Sequence, residues 1–216
     1  VYSGVADGFS SIVNGNIYTK ISGGEFDKVY AGSASSGTVN GNVFLEITGG
    51  TFNSVAAGSE KAGGIINGNA VLSVKGVYIS GVGQPNNSSV KGKIIYVSDR
   101  ELGIEDGAYY DYYIVADGGI AEPVFEGTEL LGFRFHDETG CISENVQLSG
   151  EQLTPVNGLF TLPEGKSKVT IISEVKLELN RYANYVSGYD DGTFLPQNNL
   201  SRAEAIAMLT RLITDE

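Results

Sequence analysis

Four carboxylates in the first hundred residues are the first candidates for acid–base chemistry: Glu25, Asp27, Glu46 and Glu60. A polysaccharide lyase or hydrolase needs such groups to converge on one groove. These four are scattered along the chain, and they do not recur at equivalent positions of the internal repeat described below. The residue that corresponds to Glu25 in the next copy, for example, is Thr51. We therefore predict no catalytic residues in this region.

The second candidate for chemistry is a possible base and nucleophile, His136 and Cys141, with Asp137 between them. His136 is the single histidine of the chain and stands beside acidic residues in a predicted turn, where a solvated role is expected. Cys141 is the single cysteine, has no activating motif and has no partner for an internal disulfide. We predict that the protein is not an enzyme and that it holds no metal and no cofactor.

The charge of the chain excludes some partners. The formal net charge is −12, and the whole excess of acid lies in residues 105–216, because residues 1–104 carry equal numbers of acids and bases. Such a balance repels nucleic-acid phosphates and anionic lipid headgroups. The sequence also lacks an apolar run of the ~18 residues that a membrane-spanning helix requires. We expect neither nucleic-acid binding nor membrane insertion.

An internal repeat of about 26 residues organises the first half of the chain. The motif Val-Asn-Gly-Asn begins at Val13 and at Val39, and Ile-Asn-Gly-Asn begins at Ile66. A degraded copy, Val-Lys-Gly-Lys, begins at Val90. Each copy is followed by an alternating strand pattern, and glycine-rich segments lie between these strands. The repeat predicts a coil in which each strand pairs in parallel with its copy one turn on.

The alternation predicts which side chains form the interior of this coil. Nine residues are expected to face inward: Ile17, Thr19, Ile21, Val43, Leu45, Ile47, Ala70, Leu72 and Val74. Nine are expected to face outward: Tyr18, Lys20, Ser22, Phe44, Glu46, Thr48, Val71, Ser73 and Lys75. Asn14, Asn40 and Asn67 would form a ladder of hydrogen-bonded side chains, and Lys20 would lie over Glu46. A set of antiparallel hairpins is the alternative, since Asn-Gly is also a hairpin signal.

The pattern "NGN…ISGG-F…V-AG" resembles the glycine-rich repeats of bacterial surface proteins that form right-handed parallel β-helices. The resemblance covers about residues 1–98 and implies a mainly β protein whose first domain, residues 1–104, is a β-solenoid. Val1 aligns with Val29 and Val55, so we expect the chain to begin partway round a coil of a longer protein.

The repeats stop after about residue 104, and a different β pattern follows. Short alternating runs, such as Leu131–Phe135 and Val169–Ile171, are separated by turn signals such as Asp117-Gly118 and Asn157-Gly158. We predict a small antiparallel β domain over residues 105–178. It resembles, loosely, small β repeats of Gram-positive surface proteins that act as spacers. A cluster of tyrosines at its start fits either a strand with two covered faces or a platform that stacks on a sugar ring.

The C-terminal segment carries the most specific motif of the chain. The residues from Gly188 to Pro196 read "GYDDGTFLP", and "LSRAE" begins at Leu200. Ser201 is suited to cap a helix N-terminus, and Glu204, three residues later, completes a capping box. Apolar residues that follow Ala203 recur at helical spacing. This pattern predicts a turn followed by a short helix.

This ending resembles the S-layer homology family, whose hallmark is a "GY-DGTF-P" loop followed by "RAE" at the start of a helix. The resemblance implies a partial, short α-helical module over residues 179–216. It further implies non-covalent binding to secondary cell-wall polysaccharide, often pyruvylated. The residues expected to bind the polysaccharide are Arg202, Asp191, Gly192 and Thr193. For Arg202, a purely structural ion pair with a nearby carboxylate is the alternative.

Together these features predict a secreted bacterial protein at the cell surface, in the cell wall or S-layer, that displays a β-solenoid for adhesion or structural roles. A second possibility is a carbohydrate-active β-helix enzyme on the same wall anchor. A third is a structural subunit of a surface layer or filament that self-associates. Since the family normally has three repeats, we expect the chain to continue beyond its one repeat, and one repeat alone to bind weakly.

Overall fold

The structure is a computed structural model that describes residue 1 and residues 11–33, 36–60, 63–83, 90–173 and 206. The chain divides into two compact units, Val1–Glu174 and Val175–Glu216. In the second unit the described residue is Ile206, which is helical. The predicted helical module otherwise lies outside the described residues, and the part of the chain that the structure describes is mainly β.

The first unit is built from short strands and two long ones. Their bounds are β1 Ile12–Val13, β2 Ile17–Tyr30, β3 Gly37–Val39, β4 Val43–Ala56, β5 Gly64–Ile66, β6 Ala70–Val74, β7 Ile94–Ser98, β8 Tyr112–Asp117, β9 Gly119–Glu126, β10 Glu129–Asp137, β11 Val146–Leu148, β12 Glu151–Gln152 and β13 Gly165–Ile171. One large sheet has the order β12-β11-β13-β8-β7-β6-β4-β2. A smaller sheet has the order β1-β3-β5, and β9 and β10 form a separate hairpin.

The repeat determines the register of both sheets. Strand β2 pairs in parallel with β4, and β4 with β6, so that Ile17 lies beside Val43 and Val43 beside Ala70. In the smaller sheet β1, β3 and β5 pair in parallel in the same way. The pairing of each repeat strand with its next copy is therefore confirmed, and the alternative of antiparallel hairpins is wrong for these strands.

The glycine of the Asn-Gly-Asn motif is required by the close approach of successive copies. A Cβ atom built on Gly68 would lie 2.5 Å from the carbonyl oxygen of Gly41. A Cβ atom on Gly41 would lie 2.6 Å from the carbonyl oxygen of Gly15, and one on Gly92 would lie 2.6 Å from that of Gly68. Since any side chain at these positions would press on the backbone of the preceding copy, the stacking itself selects glycine.

The predicted inward face forms the main core. Leu45 and Leu72 lie side by side in the register and are both fully buried, as are Val43 and Ile47. Branched apolar side chains are well suited to such stacking, because they pack against the same residue type on the neighbouring strand. Ile17 and Thr19 are only half-buried, since β2 is the last of the described strands at this edge of the large sheet.

The predicted outward face is partly covered, which corrects the sequence analysis. Val71 was expected to be exposed, yet it is buried in a second core together with Phe133 and Phe135 of β10. Phe44 also packs on this core, where its ring meets that of Phe125 edge to face. The β9–β10 hairpin therefore covers the back of the repeat sheet, and the large sheet is apolar on both faces there.

The middle segment is not a purely antiparallel domain. Strand β8 pairs in parallel with β7 of the repeat region, and β13 pairs in parallel with β8. Antiparallel pairing occurs in the β9–β10 hairpin, between β11 and its two neighbours, and in isolated bridges such as that between Phe133 and Phe160. Because β8 pairs with β7, the large sheet continues across the boundary predicted between residues 104 and 105.

Buried tyrosines join the last repeat strand to β8. The rings of Tyr96 and Tyr110 lie 5.9 Å apart, and those of Tyr110 and Tyr113 lie 5.6 Å apart. The backbone N–H of Leu102 donates a hydrogen bond of 2.6 Å to the Tyr113 hydroxyl. Burial raises the pKa of Tyr113 to about 12, and it also raises the pKa of Tyr96.

These tyrosines predict a loss of stability at alkaline pH. A phenol whose pKa is raised by folding keeps its proton in the folded state, so the stabilisation is complete below the ordinary pKa of about 10 and declines as the pH rises above it. Urea unfolding at a series of pH values should show this decline, and Tyr96→Phe should make it shallower. An identical pH dependence for both proteins would show that Tyr96 is not the group responsible.

Candidate functional sites

Two of the four carboxylates considered for catalysis, Glu46 and Asp27, bond to side chains of a neighbouring copy. Glu46 accepts a hydrogen bond of 2.8 Å from the Lys20 ammonium, as predicted, and the Asn53 amide donates to Asp27 at 3.0 Å. Glu25 lies beside Thr51 in the strand register. Among the described residues no group of three or more His, Cys, Asp or Glu side chains is arranged to hold a metal ion.

His136 and Cys141 are engaged with different partners. The two ring nitrogens of His136 lie 2.8 Å from a carboxylate oxygen of Glu122 and 3.3 Å from the carbonyl oxygen of Gly140. The backbone N–H of Cys141 donates to the Asp137 carboxylate at 3.0 Å. Hydrogen bonds from the turn, above all from Thr139, lower the pKa of Asp137. The arrangement is that of a tight turn closed by an aspartate.

The outer asparagine ladder forms as predicted. The Asn40 amide donates a hydrogen bond of 2.7 Å to the side-chain oxygen of Asn14, and the Asn67 amide donates one of the same length to Asn40. All three side chains lie at the surface. The ladder ties successive copies together along the stacking direction.

A second, buried ladder was missed by the sequence analysis. Asn42 accepts hydrogen bonds through Oδ1 from both the backbone N–H and the amide of Asn69, at 2.9 and 2.8 Å. The amides of the two residues also donate to the carbonyl oxygens of Gly127 and Thr128. This inner ladder fastens the tip of the β9–β10 hairpin to the repeats. The recurrence of the second Asn in each Asn-Gly-Asn motif was the available signal.

Lys93 takes the position of the inner-ladder asparagine in the degraded fourth copy. Its backbone N–H still donates to the Asn69 side chain at 2.8 Å. Its ammonium lies 3.2 Å from an Asp111 oxygen and 2.6 Å from a Glu164 oxygen. Hydrogen bonds to these two carboxylates raise the pKa of Lys93. Lys93 therefore joins the last repeat to the segment that follows it.

An open cleft of about 760 Å³ lies beside Lys93. We call it the Tyr109 cleft, and its principal lining residues are Lys93, Tyr109, Asp111, Thr128, Glu129 and Leu130. One wall is the corner of the fourth copy together with the segment before β8, and the other is the tip of the β9–β10 hairpin. Its volume lies within the range that is usual for sites that bind small molecules.

The four residues predicted to bind cell-wall polysaccharide belong to the C-terminal segment of the chain. Arg202, Asp191, Gly192 and Thr193 lie outside the described residues, so their arrangement stays a prediction. In the part of the chain that the structure does describe, no helix is long and apolar enough to cross a membrane.

The C-terminal motif is the part of the chain that indicates a class of protein. Residues 181–206 match the model of the S-layer homology domain, and this span contains all four predicted polysaccharide-binding residues. Comparison with curated proteins and with solved structures gave no match. The domain match supports the resemblance seen in the sequence, and it indicates a cell-surface location and cell-wall binding.

Proposed function

We propose that the chain belongs to a secreted bacterial protein that attaches non-covalently to secondary cell-wall polysaccharide, including pyruvylated forms, and displays a β-solenoid at the cell surface. The observation that carries the proposal is the S-layer homology match at residues 181–206. Such domains bind cell-wall polysaccharide in general. Adhesion or a structural role is the function of the displayed solenoid.

The parallel pairing in the first unit supports a parallel β-helix as the displayed element, and its right-handed winding is proposed from the family resemblance. Two parallel sheets are built from successive copies and share one apolar core. Single parallel bridges continue the stacking beyond the sheets, from Val55 to Val82 and from Val82 to Ile104. Each repeat strand thus pairs with the equivalent strand of the next copy, and the core lies between the two sets of parallel strands. This once-per-repeat pairing is typical of a solenoid.

Arg202 is the residue proposed to recognise the wall polymer. A guanidinium group binds a carboxylate in a bidentate manner, and the carboxylate of a pyruvate ketal offers that geometry. Asp191, Gly192 and Thr193 would shape the loop beside it. The net charge of the whole chain is −12, so attraction to an acidic polymer must come from such a local contact and not from the overall field.

Display is favoured over catalysis as the role of the first unit. Two of its four candidate carboxylates are engaged with neighbouring copies, Glu46 with Lys20 and Asp27 with Asn53. A glycosidase would instead need two carboxylates facing each other across a sugar-binding groove. A wall-anchored enzyme remains the alternative proposal, and it requires turnover of a polysaccharide by the purified protein.

The proposal is tested by co-sedimentation with purified bacterial cell walls. We expect the protein to sediment with walls that carry pyruvylated secondary polysaccharide and to stay in solution with the same walls after that polymer has been removed chemically. Equal binding to both preparations would locate the interaction on peptidoglycan and contradict the proposal.

A further inference from the structure

The Tyr109 cleft combines an exposed aromatic ring with fixed polar groups. Tyr109 is 49% exposed and lines the cleft. Its hydroxyl donates a hydrogen bond of 3.2 Å to an Asp111 oxygen. The ring is therefore held in place while one face stays open to the cleft, and a held ring loses less entropy on binding than a mobile one.

The polar floor of the cleft is also rigid. The Asp111 carboxylate accepts hydrogen bonds from the backbone N–H of Ile94 at 2.8 Å, from the Lys93 ammonium at 3.2 Å and from Tyr109. The Asp111 side chain is only 10% exposed. The carboxylate oxygens of Asp111 and the N–H groups of Lys93 lie close to the Tyr109 ring. They could accept and donate hydrogen bonds to the hydroxyl groups of a ligand.

The charges around the cleft favour a neutral ligand. The positive charge of Lys93 is balanced by Asp111 and Glu164. The lining adds one further cation, Lys91, and one further carboxylate, Glu129. Carboxylates thus outnumber ammonium groups, so an acidic polymer would gain nothing from the local field.

We propose that the Tyr109 cleft binds a segment of a neutral oligosaccharide, with a sugar ring stacked on Tyr109 and its hydroxyl groups bonded to Asp111 and Lys93. Sugar rings have an apolar face of C–H groups and a rim of hydroxyls. A tyrosine beside a charged hydrogen-bond network matches both parts. None of the residues that line the cleft belongs to residues 181–206, so the proposal goes beyond the proposed function and is tested independently of it.

The test is a calorimetric titration of the full chain with soluble cello-, malto- and chito-oligosaccharides. We expect binding to at least one series, and Tyr109→Ala should weaken it roughly tenfold, the size of effect expected for loss of a central aromatic contact. Tyr109→Phe should retain most of the affinity, because it keeps the ring. Tyr78→Ala is the matched control, since Tyr78 is 65% exposed and does not line the cleft.

Three outcomes would overturn the proposal: no binding to any of these oligosaccharides, equal binding by Tyr109→Ala and the unaltered chain, or equal weakening by Tyr78→Ala. Tighter binding of oligogalacturonides than of the neutral series would contradict the charge argument. Co-sedimentation with cell walls reports on the separate wall-binding span, so failure of one activity can be told apart from failure of the other.

Discussion

Leu45→Asp is expected to unfold the first unit of the protein. Leu45 is 1% exposed and lies between Thr19 and Leu72 in the strand register. A carboxylate at this position would be buried without a partner, and its desolvation should cost more than about 4 kcal/mol, a large part of the stability of a typical domain. Circular dichroism should show loss of the β signal, or urea unfolding a greatly reduced midpoint.

Two further variants make the result interpretable. Ser22→Asp adds the same charge to an exposed position of β2 and should change the free energy of unfolding by less than about 0.5 kcal/mol. Leu45→Ala should cost about 2 to 5 kcal/mol, as expected for truncation of a buried leucine. If Leu45→Asp proved as stable as Ser22→Asp, the assignment of the inward face would be wrong.

Asn42→Ala is expected to have the second largest effect, a loss of about 2 kcal/mol. Removal of this side chain leaves the carbonyl of Gly127 and the backbone N–H of Asn69 without their partners. The N–H of Asn69 is buried, and a buried polar group that loses its hydrogen bond costs about 1 to 3 kcal/mol, whereas water can replace the contact of the exposed Gly127. The hairpin tip should also loosen, which hydrogen exchange at the β9–β10 turn would detect.

Asn40→Ala is the matched control for the buried ladder. Asn40 belongs to the same motif copy and also bonds to its counterparts above and below, but it lies at the surface, where water replaces the lost contacts. We expect a loss of less than about 1 kcal/mol. Equal effects of Asn40→Ala and Asn42→Ala would refute the distinction between an outer and an inner ladder.

The repeat made part of the fold predictable from the sequence. A strand that recurs at a fixed period must lie beside its copy, so the alignment of Ile17, Val43 and Ala70 gave the register directly. The same alignment gave the Lys20–Glu46 pair and the outer ladder, because both need only the one-copy offset. None of these predictions required knowledge of distant parts of the chain.

Most of the contacts that were missed involve segments without a repeat. Nothing in the local pattern of β9 and β10 shows that they cover Val71, since the partner lies some distance away in the chain. The parallel pairing of β13 with β8 has the same origin. The inner ladder was missed because Asn42 and Asn69 look like turn residues until the hairpin tip is placed on them. Non-local packing decides these cases.

The residues proposed to bind the wall were predicted from family resemblance and not from physical reasoning. Spacing and capping alone predicted a turn and a helix, but not the role of Arg202. The S-layer homology match at residues 181–206 supports the resemblance, and the role of each residue within that span stays a proposal.

The most direct test of the account is the effect of Arg202→Ala on binding to cell walls that carry pyruvylated polysaccharide. Loss of a charge-assisted contact worth about 2 kcal/mol should weaken binding roughly thirtyfold. Arg211→Ala removes the same charge outside the matched span and should leave binding unchanged. Unaltered binding by Arg202→Ala, or an equal loss with Arg211→Ala, would contradict the proposal that Arg202 attaches this protein to the wall.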